Sequence, residues 1–134
     1  MAVANAVEDW CTEISGGVEA AWTARELLSS RLGNSAGDKT MHDLHLLTTE
    51  LVTNAVLHAG AGVTDTIELS VAAAPNRVRV AVTDPGSEDT PEVQALDPEV
   101  PGGMGLFLVE QISSRWGVER TPAGANRVWF EVAA

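Results

Sequence analysis

Basic residues are scarce in this 134-residue chain: eight Lys and Arg stand against nineteen Asp and Glu, a formal net charge of −11. That balance argues against direct nucleic-acid binding, which needs a basic surface to displace counterions from phosphate. It permits a basic protein partner, and it equally serves solubility. The only lysine, Lys39, lies outside any Gly-Lys-Ser/Thr sequence, which excludes a P-loop. The only cysteine, Cys11, cannot form an internal disulfide, which fits a reducing cytoplasm. Tyrosine is absent and other aromatics are few, so the core must be mainly aliphatic. No run is apolar and long enough to cross a membrane, and the N-terminal Met-Ala-Val-Ala-Asn-Ala-Val-Glu-Asp lacks the basic region of a signal peptide. The expectation is one cytoplasmic domain over residues 1–134, without membrane or nucleic-acid contacts.

Three segments carry the chemistry. In Glu50-Leu-Val-Thr-Asn54-Ala-Val-Leu-His58, Glu50 and Asn54 are four residues apart and share a helix face, and His58 extends the row. Leu44, Leu47, Leu51, Val52, Ala55 and Val56 recur at helical spacing on the other side. A carboxylate and an amide oxygen are hard ligands suited to Mg2+. A carboxylate beside a phosphate can also take a proton from an attacking hydroxyl. The plain alternative is a solvated polar stripe. The second segment is Val78-Arg-Val80-Ala-Val82-Thr-Asp84-Pro-Gly86, a strand running into a turn. Asp84 could accept a hydrogen bond from an exocyclic amine such as adenine's, or it could be simple turn chemistry. In the third, Gly102-Gly103-Met104-Gly105 precedes the apolar helical stretch from Leu106. Glycines before a helix let backbone N–H groups approach phosphate, aided by the helix dipole. A flexible loop and an ordinary helix start would read the same. A dinucleotide fingerprint fits poorly, since its third glycine would fall at Leu108.

Taken together and in this order, the segments resemble the N box and the two glycine-containing boxes of the GHKL ATPase/kinase superfamily. Within it, the chain is most similar to the small stand-alone anti-sigma factor serine kinases of the actinobacterial type. The likeness runs from about Ala21 to Val132 and includes Arg115-Trp116-Gly117-Val and Val128-Trp129-Phe130. The resemblance implies the Bergerat ATP-binding fold, with ATP and Mg2+ as cofactors. It implies that Asn54 ligates Mg2+, that Glu50 is the general base and that Asp84 reads adenine. His58, Gly86, Gly102, Gly103, Met104, Gly105 and Leu106 would complete the nucleotide site. The implied partners are a sigma factor and a STAS-domain anti-sigma antagonist, and a homodimer is among the assemblies the resemblance allows.

The expected elements are a strand over Glu8 to Ile14 and a helix over Val18 to Leu32, with Val18, Ala21, Trp22, Leu28 and Leu32 on one face. Asp38 should cap the helix that carries Glu50, Asn54 and His58. A hairpin of Thr66 to Ala73 and Arg77 to Asp84 turns at Pro75-Asn76. A helix of about Gly105 to Ser114 and strands of about Trp116 to Thr121 and Asn126 to Val132 follow. The fold class is α+β, a two-layer sandwich of a mixed, mainly antiparallel sheet with helices on one face.

The loop from Ser87 to Gly103 is the expected ATP lid. It carries five acidic residues and no basic one, unlike relatives with an arginine there. Phosphate binding would then rest on backbone N–H groups and Mg2+, with phosphoryl transfer weakened. Arg127 could replace the missing cation, but solvent exposure on an edge strand is the expectation. The tryptophans read as packing residues. Three functions fit: an ATP-dependent anti-sigma factor that phosphorylates its antagonist, the same partner switch without kinase activity, and an orphan histidine-kinase catalytic domain. The third is disfavoured, because no helical phosphoacceptor segment is present.

Overall fold

The computed structural model describes residues 8–33, 36–58, 66–84, 105–122 and 124–134. Its elements are β1 (Glu8–Ser15), α1 (Ala20–Leu32), α2 (Asp38–His58), β2 (Thr66–Ala74), β3 (Arg77–Thr83), α3 (Gly105–Ile112), β4 (Arg115–Arg120) and β5 (Asn126–Ala133). The five strands form one sheet in the order β1-β2-β3-β5-β4. Every pairing is antiparallel, so no parallel pair occurs among the described strands.

Alternation fixes the two faces of the sheet. Ile14, Ile67, Leu69, Val71, Val78, Val80, Val82, Val128, Phe130 and Val132 point to one side and are buried. There they join Ala24, Leu28, Leu32, Leu44, Leu47, Leu51, Val52 and Val109 of the three helices in one core. The aliphatic bias of the composition is thus spent on a single sheet–helix interface.

The first helix starts two residues later than its sequence predicts. Gly17 adopts φ 96, a left-handed turn that a side chain would resist, and the helix begins at Ala20. Its buried positions are Ala20, Ala24, Leu28 and Leu32, each four apart. Trp22, two residues from both Ala20 and Ala24, stands about 160° from each by the shorter way round, at 3.6 residues per turn. It is therefore 57% exposed, while Val18 is 96% exposed ahead of the helix. Neither packs in the core. Asp38 also differs from expectation. It is the first helical residue rather than the cap, because the first intrahelical bond runs from Met41 N to Gly37 O. Its charge still favours the helix N-terminus.

α1 and α2 form an antiparallel pair. Arg25 donates to Thr49 Oγ1 at 3.0 Å, and Ser29 Oγ meets His45 Nε2 at 2.9 Å. The β2–β3 hairpin turns at Pro75-Asn76 as expected, with Ala74 opposite Arg77. Among the described residues, no helix is long and apolar enough to cross a membrane.

Candidate functional site

α2 packs on β3 and β5. Thr40, near its start, donates to the carbonyl of Ala133 at 3.4 Å, and Ala133 pairs with Arg77 at the beginning of β3. From Thr40 to Asn54 the helix advances about 21 Å, at about 1.5 Å per residue. From Ala133 back to Asn126 the strand covers about 23 Å, at about 3.3 Å per residue. Asn54 therefore lies towards the end of the sheet where β3 gives way to Asp84. The helix and the strand end, far apart in sequence, are brought to one region.

Asn54 is buried, and its Oδ1 has neither solvent access nor a hydrogen-bond partner. An orphaned amide oxygen on a water-excluded helix face is costly unless something binds it. A hard cation suits this oxygen, so the residue fits the predicted Mg2+ ligand. One turn earlier, Glu50 is half-buried, and burial pushes its carboxyl above the usual carboxylate range. A more basic carboxylate is a better proton acceptor near neutral pH. His58 is the last residue of α2, which places it on the same helix and one turn beyond Asn54.

Asp84 is 8% exposed, too buried for an ordinary turn residue in water. Its N–H donates to Asn126 O at 2.9 Å, and its Oδ1 accepts from Asn126 N at 3.4 Å. Asn126 is 1% exposed, and its own Oδ1 accepts from Arg120 Nε at 3.3 Å. Asp84, Asn126 and Arg120 sit on adjacent strand positions of the helix-covered face. Sequence reasoning missed Asn126 and Arg120. The available signal was strand parity: Asn126 alternates with Val128, Phe130 and Val132, so a polar side chain at that step had to face inward.

Arg127 has the opposite parity and faces away from the helices. It donates to Thr83 Oγ1 at 3.1 Å and pairs with Glu68 at 3.7 Å. Its strand is interior rather than an edge, because β4 covers β5. The edge-strand part of the expectation is thereby corrected, while the side chain is partly exposed on the helix-free face. Gly105 opens α3, whose N-terminus is the end remote from β4, and Leu106 follows it in the helix. Gly86, Gly102, Gly103 and Met104, with the whole expected lid, lie outside the described residues.

A family model of the histidine kinase-like ATPase domain matches residues 2–131. The chain belongs to that family. The match places this ATPase domain in an ATP-binding class and covers the elements described above up to residue 131 of β5. No curated protein matches the chain. Among solved structures it is similar to the RsbU and RsbW domains of Rv1364c from Mycobacterium tuberculosis, at TM-score 0.65 and 23% identity over 92% of this chain. The ATPase domain spans 32% of that longer chain, about a third of its length. It is also similar to the SiaB–SiaC complex from Pseudomonas aeruginosa, at TM-score 0.60 and 14% identity, covering 93% of this chain and 89% of that one. At these identities the likeness is one of fold, and the fold is the expected sheet with helices on one face.

Proposed function

We propose that this ATPase domain is an anti-sigma factor-like regulator that binds Mg-ATP and phosphorylates a serine or threonine of a STAS-domain antagonist. The observation that carries the reading is the buried, unpartnered Oδ1 of Asn54, one helical turn from Glu50. Asn54 would hold Mg2+, and the resemblance assigns Asp84 to the adenine amine. Bound there, the cation would neutralise charge on the phosphates. Glu50 takes the proton of the attacking hydroxyl, a role its raised proton affinity favours. Gly102, Gly103 and Gly105 present backbone N–H groups to phosphate, while Gly86, Met104, Leu106 and His58 border the nucleotide. The domain is cytoplasmic and acts as a single unit. A protein partner is supported by both neighbours: one couples RsbU and RsbW domains, and the other is a complex of SiaB with SiaC.

A second reading is favoured by the placement of charge. The lid sequence carries no cation, and Arg127 is committed to Thr83 and Glu68 on the far face. Phosphate would then be held without a side-chain cation from either, and the protein would act as a nucleotide-gated binding switch. Incubation with labelled ATP, Mg2+ and a cognate STAS protein separates the two. Label on the partner's serine or threonine establishes the kinase. Nucleotide-dependent complex formation without label establishes the switch. Absence of any nucleotide binding overturns both.

A further inference from the structure

Among the described residues, the exposed large hydrophobic side chains are Val18, Trp22 and Leu57, and all three belong to one end of the helical layer. Apolar side chains scattered singly over a surface need no explanation, but a gathering at one end does. Their placement follows from the pairing of α1 with α2. Arg25 meets Thr49 and Ser29 meets His45, so four residues forward on α1 is four back on α2. Trp22 shares the stripe of Arg25 and Ser29, at spacings of three and four, and stands one turn nearer the start of α1. It therefore comes level with Val52 and Thr53 of α2. Val18 precedes α1 at the same end. Leu57, 48% exposed, is seven residues beyond Glu50. Two turns of helix bring it back to within about 20° of Glu50, so the two share a face.

These positions bracket Glu50. Leu57 lies about 10 Å along the helix from it, at about 1.5 Å per residue. Trp22 is on the neighbouring helix, and packed helix axes lie about 8–10 Å apart. A protein that brings a hydroxyl within reach of Glu50 covers these surroundings too. A stable interface takes about 800 Å² from each partner, a disc about 16 Å in radius, and both side chains fall inside it.

We propose that Trp22 and Leu57 are the apolar anchors of a docking patch for the protein substrate, on two sides of the general base, and that this substrate carries apolar side chains beside its acceptor hydroxyl. The inference rests on the proposed kinase reading and names the kind of partner surface that reading requires. An indole buries about 150–250 Å² when covered and has few rotamers to lose, which is why tryptophan so often dominates an interface. A protein seated on both anchors would also keep water from Glu50, adding to the burial that already favours its protonated form.

The test uses the full chain with the STAS protein of the labelling assay. It measures KM and kcat for that protein, the affinity of the complex formed with Mg2+ and a non-hydrolysable ATP analogue, and the affinity for Mg-ATP alone. Trp22→Ala should raise KM and weaken the complex by about 30-fold or more, with kcat and Mg-ATP affinity within about twofold. Leu57→Ala should raise KM about fivefold, and Trp22→Phe, which keeps an aromatic ring, should stay within about threefold of wild type. Unchanged KM and complex affinity in Trp22→Ala and Leu57→Ala, with labelling intact, overturn the patch and spare the kinase. An equal fall in Mg-ATP affinity places the two residues in the nucleotide site and overturns the patch as well. If the wild type binds the STAS protein without labelling it, the complex affinities decide alone. If it does neither, the patch falls with the reading on which it rests.

Discussion

The two faces of the sheet handle polar groups in opposite ways. On the helix-free face, charges are matched to one another. Glu131, only 6% exposed, takes Arg79 at 3.0 Å and Arg115 at 3.9 Å, and Glu68 takes Arg127. Trp129 lies there over Gly117, with the Arg79 guanidinium 3.9 Å from the ring centroid. On the helix-covered face, the buried polar atoms without partners among the described residues are Trp10 Nε1, Thr48 Oγ1 and Asn54 Oδ1. Glu50 is half-buried there, and burial raises the proton affinity of its carboxyl. One face is satisfied within itself. The other holds buried polar atoms that the fold leaves without partners, the kind of group a ligand could satisfy.

That contrast is broken most severely at Glu50. If its carboxyl is the base, Glu50→Gln should keep most Mg-ATP affinity and lower phosphorylation of the STAS partner by about 10²–10⁴-fold. An active Glu50→Gln protein would remove Glu50 from the chemistry. The same variant tests the burial cost. A carboxyl whose folded-state proton affinity is raised stabilises the fold fully below the unfolded carboxylate range and loses that contribution as pH rises through its folded value. Glu50→Gln should therefore melt higher than wild type at pH 7, and the advantage should vanish near pH 4. A lower melting temperature at pH 7 would show that Glu50 is held by attraction rather than merely desolvated.

Asn54 comes next in size. Asn54→Ala should weaken Mg-ATP binding by about 100-fold or more, as loss of a metal's protein ligand does. It should cost little folding stability, because the oxygen it removes makes no hydrogen bond. Calorimetry and thermal melting together check both parts. A folded Asn54→Ala protein with unchanged Mg-ATP affinity would reduce the orphaned oxygen to an uncompensated defect.

The reverse experiment strikes the scaffold face. A Cβ at Gly117 would lie 2.7 Å from Trp129 Nε1 and 2.8 Å from two ring carbons. Gly117→Ala must push the indole off the sheet, at a cost of about 1–3 kcal/mol. Thermal melting should register the loss, while ATP affinity stays within about twofold because the site lies on the other side. A fall in affinity without a fall in stability would mean that the faces communicate.

Much of this was legible beforehand, for reasons that differ by element. The placement of Glu50, Asn54 and Asp84 in the fold was readable because each ends or interrupts a strongly periodic apolar pattern, and periodicity fixes which way a side chain points. The hairpin was readable from Pro75-Asn76 between alternating runs. α1 was misread at its start: Val18 and Trp22 suggested a buried face, whereas Gly17 delays the helix and small alanines fill the contact. Trp22 was accordingly taken for a packing residue and is exposed. Asn126 and Arg127 needed the strand order. Adjacent in sequence, they face opposite sides: Asn126 shares the parity of the buried Val128 and Phe130, and the strand order shows that Arg127 stands on an interior strand rather than an edge.

The smallest predicted effect follows from that last point. Arg127 reaches Thr83 and Glu68 across the helix-free face, and both partners are themselves partly exposed. A pair of this kind contributes about 0–1 kcal/mol, further reduced by salt. Arg127→Ala should therefore shift the melting temperature by a few degrees at most and leave ATP affinity within about twofold. The loss in stability should shrink as salt rises, since what remains of the pair is screened. If Arg127→Ala lowered ATP affinity tenfold in a protein of unchanged stability, the arginine would have to reach the phosphates, and the division of the sheet into scaffold and site would fail at β5.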